Sequence, residues 1–252
     1  MASRIEIERE ALSNIQNEIR LIANDLRKKL HEDSWEIFDK QRPRLMQELL
    51  RQLREDIRGW KCHLGETSEA FRHWVETNFV IRLTPISDEY GSELSERYLD
   101  RALDSYSRVV RAFQDRLAQE IEKALHIKFP GAKFEVKIPE PKKPDIHIGN
   151  VFVTPWEILW FFIPMRLFRP LVNRHFINRL PWDVNINLGR LGSQWTEAIS
   201  NSIEDIAQQA KVFIQQEIDT VENLLTNAPD HQSEIENAIG ELGTMKTNMT
   251  RI

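Results

Sequence analysis

A chain of 252 residues with 41% apolar and 29% charged side chains can bury a sizeable core, and only nine glycines point to long helices with few tight turns. A net charge of −5, with no basic run longer than the pair Lys142-Lys143, excludes the electrostatic footprint of a nucleic-acid binder. One cysteine, Cys62, excludes an internal disulfide framework, and the opening MASRIEIEREAL has no apolar signal region, so an unsecreted, cytoplasmic chain is expected.

From about residue 5 to residue 40, Leu12, Ile15, Ile19, Ile22 and Leu26 recur at intervals of three and four, which predicts a helix packed along another helix. Asp33 or Ser34 is expected to break it before Trp35, Ile37 and Phe38. Pro43 suits the first position of a second helix carrying Leu45, Leu49, Leu53, Ile57 and Trp60 on one face and ending near Gly65. Thr67 or Ser68 then caps a shorter helix through Phe71, Trp74, Val75 and Phe79, which Pro85 stops. A long helix over about 87–126 comes next, with Leu94, Tyr98, Ala102, Tyr106, Val109, Phe113, Leu117, Ile121 and Leu125 as its stripe. Roughly 40 helical residues make a rod of about 60 Å, too long for one compact core. After Phe129-Pro130-Gly131 the pattern changes. Phe134, Val136 and Ile138 alternate with polar residues, as do Ile146 and Ile148, around PEPKKP, which predicts a small two-stranded hairpin.

The hairpin leads into VFVTPWEILWFFIPMRLFRPLVNRHFINRLPW, residues 151–182, which holds eight of the chain's 22 aromatic residues. Thr154-Pro155-Trp156-Glu157 is a capping box with proline at the first helical position, so a helix should start there. Pro164, Pro170 and Pro181 should divide the rest of the segment into two or three short helices. The longest uncharged run after the cap has only eight residues, 158–165, against the roughly 20 that a spanning helix needs. Trp and Phe beside Arg166, Arg169, Arg174 and Arg179 instead resemble a segment that dips into a bilayer interface. The same composition also suits a buried core segment or a subunit interface.

A last long helix is expected over about 183–227, its face formed by Leu188, Leu191, Trp195, Ile199, Ile206, Ala210, Phe213, Glu217 and Val221. The charge at Glu217 implies that this seam drifts there. Asn227-Ala228-Pro229-Asp230 reads as a turn before a short helix with Ile235, Ile239, Leu242 and Met245. The resulting expectation is mainly α: an elongated antiparallel helical bundle with a small β-hairpin and a proline-broken aromatic tip. Residues 1–129 form the first part of a trunk, 130–182 the hairpin and tip, and 183–252 the return.

A search for chemistry yields no catalytic constellation and no cofactor. There is no GxxxxGK[ST] loop, and Gly189, Gly192 and Gly240 are isolated. Cys62-His63 with His73 is the nearest approach to a metal site, but the intervening glycine turn gives it no ligand spacing, so no metal is expected. Acid and amide pairs such as Glu48 with Gln52 read as solvated helix faces. The chain therefore reads as non-enzymatic on its own.

Residues 154–203, TPWEILWFFIPMRLFRPLVNRHFINRLPWDVNINLGRLGSQWTEAISNSI, resemble the C-terminal helical region of bacterial dynamin-family proteins. Those chains carry a similar proline-interrupted aromatic segment, a Leu-Pro-Trp step and then a long helix with Trp. The resemblance implies a helical stalk or trunk whose paddle binds lipid, with GTP turnover remodelling the membrane. It implies that Trp156, Trp160, Phe161, Phe162 and Phe168 insert into lipid, and that Arg166, Arg169 and Arg174 contact headgroups. The family's phosphate loop has no counterpart in these residues, so a GTPase partner in trans, or a GTPase domain outside them, is implied. The expected partners are an anionic membrane surface, further copies of the chain and a dynamin-family GTPase, at a cytoplasmic, peripheral membrane location. An alternative is a helical scaffold whose aromatic patch is an oligomerisation or partner interface; a pore-forming helical toxin is a third reading.

Overall fold

A computed structural model describes residues 2–60, 64–125, 131–146 and 165–249, with side chains described for 13–60, 65–123, 131–146 and 169–223. The chain is mainly α, with three helices among the described residues: α1 (Ala2–Asp56), α2 (Leu64–Leu125) and α3 (Met165–Met249). Each helix contributes to two compact units. One comprises Met1–Ile19, Tyr106–Val136 and Ala207–Ile252; the other comprises Arg20–Ser105 and Lys137–Ile206.

The predicted stripes form the core. Ile15, Ile19, Leu26, Leu45, Leu49, Leu53 and Ile57 of α1, Leu94, Tyr98, Ala102 and Tyr106 of α2, and Leu188, Leu191, Trp195, Ile199 and Ile206 of α3 are all buried. The expected breaks are absent. Pro43 lies inside α1, Pro85 inside α2, and Pro170, Pro181 and Pro229 within α3. A proline in a helix loses one hydrogen bond and crowds the preceding turn. Pro43, Pro85 and Pro170 stand on the exposed face, where water can serve the carbonyl left without a donor, while around Pro43 and Pro85 the opposite face continues the buried stripe on both sides. Ser34, expected at a break, is instead buried, its hydroxyl donating to the Gly192 carbonyl at 3.0 Å.

In the larger unit α1 runs antiparallel to α2: Asp33 meets Tyr98, Glu48 meets Arg82, and Asp56 meets Trp74. It also runs antiparallel to α3, with Arg27 beside Glu204, Ser34 beside Gly192, and Arg58 beside Arg169. Helices α2 and α3 consequently run parallel, Phe71 stacking on Phe176 and Ser87 bonding Trp195. This corrects the expectation that the arms on either side of the aromatic segment are antiparallel. That expectation holds for short connections, whereas residues 126–164 separate these two helices.

Close approach of the helices uses small residues opposite large ones. A methyl on Gly91 would overlap the ring of Trp195, so α2 meets α3 there only because position 91 has no side chain. The Trp195 indole N–H donates to Ser87 Oγ at 2.9 Å, which satisfies its one polar group within the core. The pair Glu48 and Gln52, expected on a solvated face, jointly accepts from Arg82 at 2.7 and 2.6 Å.

Residues 131–146 contain neither helix nor strand, so the hairpin expected at 134–138 and 146–148 does not form within the described residues; Ile148 lies outside them. The segment is fastened to helices rather than to a partner strand, and its prolines supply no ladder donors. In the smaller unit the Ala132 N–H donates to Glu217 Oε1 at 3.0 Å, and the Ala132 carbonyl accepts from Gln114 at 2.7 Å. Phe134 packs edge-on against Phe213, their ring centroids 5.0 Å apart. In the larger unit Lys143 pairs with Asp88 at 2.9 Å. Glu217, the charge that interrupts the seam, is buried because it anchors this segment.

Candidate functional site

Helix α3 begins where the α1–α2 turn lies. The turn closes with Gly59 N–H donating to the Asp56 carbonyl at 3.0 Å. One guanidinium nitrogen of Arg169 donates to the carbonyls of Arg58, at 3.1 Å, and Trp60, at 2.7 Å. Both carbonyls belong to the turn that follows α1, outside its helical hydrogen-bond ladder. Arg169 thus ties the start of α3 to the turn, and that nitrogen is occupied within the protein.

Behind the turn is an aromatic cluster. Phe71 and Phe176 stack with centroids 4.3 Å apart, Trp74 lies parallel to Phe71 at 6.4 Å, and Trp60 meets Phe71 edge-on at 6.3 Å. Trp74 donates its indole N–H to Asp56 at 2.7 Å. Phe176, part of the aromatic segment in the sequence, is wholly buried here, so not every ring of that segment is available to a ligand.

The outward face of α3 is different. Leu171 is 63% exposed, Trp182 53% and Ile186 40%, and Arg174 and Asn178 are exposed between them. At 100° per residue these five positions share one helix face. The Arg179 guanidinium lies over the Trp182 ring, 4.3 Å from its centroid, and its Nε donates to Asp183 Oδ1 at 3.4 Å. Residues 165–190 contain five arginines and a single acid, Asp183. That acid is 1% exposed, and burial pushes its carboxyl up to about 6 against the opposing pull of Arg179. The face shown to solvent is therefore apolar, with Arg174 as its exposed charge and no exposed acid among residues 169–190. Trp35 of α1, 58% exposed, borders it: a methyl built on Gly189 would meet the Trp35 ring at 3.9 Å.

Of the residues expected to contact membrane, Arg169 and Arg174 stand on α3 near its start, the first tied to the turn and the second exposed. Arg166 and Phe168 fall in the first turn of α3, with side chains outside the described residues; Trp156, Trp160, Phe161 and Phe162 lie outside them altogether. The strip of Leu171, Trp182 and Ile186 was missed because breaks expected at Pro170 and Pro181 hid the continuous helical period that aligns these residues.

The cleft between α1 and α3 lined by Ser34, Trp35, Phe38, Leu188 and Gly189 encloses about 20 Å³, room for one water and no organic ligand. Among the described residues no cluster of three His, Cys, Asp or Glu is placed to hold a metal ion; Cys62 and His63 lie outside them. No helix among the described residues is long and apolar enough to cross a membrane. Comparisons with protein-family models, with curated proteins and with solved structures give no match.

Proposed function

We propose that this chain is the helical trunk of a dynamin-like membrane-remodelling protein. In this reading it contacts anionic bilayers through the aromatic residues that precede α3 and the aromatic and arginine residues of its first turns, and GTP hydrolysis belongs to another domain or chain. The observation that carries the reading is the point at which α3 starts. Helix α3 starts beside the α1–α2 turn, where Arg169 bonds the carbonyls of Arg58 and Trp60, and residues 151–164 immediately precede it in the sequence. A core already filled by Phe71, Phe79, Phe176 and Leu180 supports an outside role for the rings of the preceding segment. The arginine excess over residues 165–190 supports an anionic surface as its partner.

Burying a large side chain in the interface is worth about 1.5 to 3 kcal/mol, so several of Trp156, Trp160, Phe161, Phe162 and Phe168 together suffice for reversible binding. The test is vesicle flotation. The native chain should float with phosphatidylserine-containing vesicles, less so at high salt. A Trp160→Asp, Phe161→Asp double variant with unchanged helical content should stay at the bottom. A native chain that sediments with every lipid overturns the membrane reading and leaves a helical scaffold whose aromatic segment binds protein.

A further inference from the structure

The membrane contact proposed for the segment before α3 leaves aside the exposed face of α3 itself, which has a separate character. Resting on that membrane reading, we propose that the face of α3 from residue 171 to residue 186 lies side-on against an anionic phospholipid bilayer, so that the helical unit lies flat instead of standing on one end. Leu171, Trp182 and Ile186 supply apolar side chains on a single face, with Arg174 among them and Arg179 stacked on the Trp182 ring. This is the composition of a helix lying in the plane of an interface, with rings at headgroup depth and guanidinium groups at the phosphates.

Charge complementarity selects the occupant. In a chain of net charge −5, this face carries the exposed Arg174 and, at its edge, Arg179 over the Trp182 ring, while the one acid of residues 165–190, Asp183, is turned into the core and paired with Arg179. A cationic or neutral protein surface would gain nothing from that arrangement; a sheet of phosphodiesters would. The contact ends on the α1 side. Trp35 borders Gly189, Glu36 there is neutralised by Lys40 at 2.6 Å and Asp39 by Arg42, while the exposed Glu32 repels an anionic surface.

The test uses the full chain carrying Cys62→Ser and one new cysteine at a time, labelled with an environment-sensitive dye: Leu171→Cys, Ile186→Cys, Val80→Cys on α2, and Phe162→Cys in the preceding segment. With mixed phosphatidylserine and phosphatidylcholine vesicles, the labels at 171 and 186 should shift to shorter wavelength and the label at 80 should not. Arg174→Glu should weaken vesicle binding by roughly 30-fold, since it changes two charge units beside an anionic surface. If the label at 162 shifts while those at 171 and 186 stay aqueous, the side-on contact is wrong and the segment reading stands. If the chain binds no vesicle, both fail. If the labels at 171 and 186 shift without lipid as the protein is concentrated, a second copy covers the face and the lipid proposal is overturned.

Discussion

Gly91 and Gly189 are both helical glycines, yet replacing each with alanine should have opposite results. Alanine is better than glycine in a helix by about 1 kcal/mol. At Gly189 the added methyl meets nothing nearer than the Trp35 ring at 3.9 Å, so Gly189→Ala should raise stability by about 0.5 to 1 kcal/mol. At Gly91 it would overlap a Trp195 ring that is itself buried, and the overpacking, about 1 to 3 kcal/mol, should outweigh the propensity gain. Urea unfolding of the two variants gives both signs. Asp183 makes a second prediction at this scale. Its carboxyl is raised from 3.8 to about 6 by burial, so between those pH values the native state binds a proton that the unfolded chain has released. Stability contributed by this group therefore falls as pH rises through that window, and above about 6 the fold carries the net cost of the buried charge, on the order of 3 kcal/mol with the pull of Arg179 already included. Asp183→Asn should be more stable than the native protein at pH 7, by about 1 to 2 kcal/mol, with the gap closing near pH 4. An unchanged gap between the two pH values would mean that the carboxyl is not protonated by burial.

Single elements show where sequence patterns and structure part. The apolar stripes were readable because burial repeats at the helical period whatever the connectivity, and Leu45, Leu94 and Leu188 all fall where their patterns put them. Proline departs from its local preference here because tertiary contacts hold the helix on either side of it. Pro85→Ala should restore the N–H that faces the Ile81 carbonyl and raise the melting temperature, with a gain of up to about 3 kcal/mol. Its absence would indicate that the helix already bends there at no cost. Glu217 was recognised as an anomaly of the seam, but its partner, the Ala132 N–H, is 85 residues away and no periodicity signals it. Glu217→Leu should remove the acceptor that holds that amide and loosen residues 131–136. Trypsin cleavage at Lys133 and Lys137, followed by mass spectrometry, should accelerate several-fold in the variant, while Glu217→Gln, which keeps an acceptor oxygen, should resemble the native chain.

At the scale of the whole chain, the direction of α3 was the feature least accessible to sequence, because a pattern of apolar residues fixes a helix face and says nothing of which neighbour it runs beside. The parallel pairing of α2 and α3 can be checked within the larger unit by spin-label distances in a Cys62→Ser background. Labels at Arg72→Cys and Asn173→Cys should be close, since Phe71 and Phe176 stack there. Moving the second label to Asn201→Cys should lengthen the distance by roughly 40 Å at 1.5 Å per residue. An antiparallel pair would reverse the order. The aromatic segment itself was legible as a functional candidate, whereas the exposed strip beside it emerged only once α3 was seen to be continuous.

The same parallel arrangement has a consequence for synthesis. Arg27 must wait for Glu204, 177 residues later, and Ser34 for Gly192, 158 residues later. Residues 20–105 can pair α1 with α2 as soon as they leave the ribosome, but Phe38 and Phe71, which meet α3 at Gly192 and Phe176, then present an uncovered apolar flank until residues 169–206 arrive. At translation rates of about 5–20 residues per second, that interval lasts seconds, long for a bare hydrophobic hairpin. The nascent chain should therefore be a client for chaperones, and a stop codon placed before α3 should yield an aggregating product rather than a smaller stable bundle.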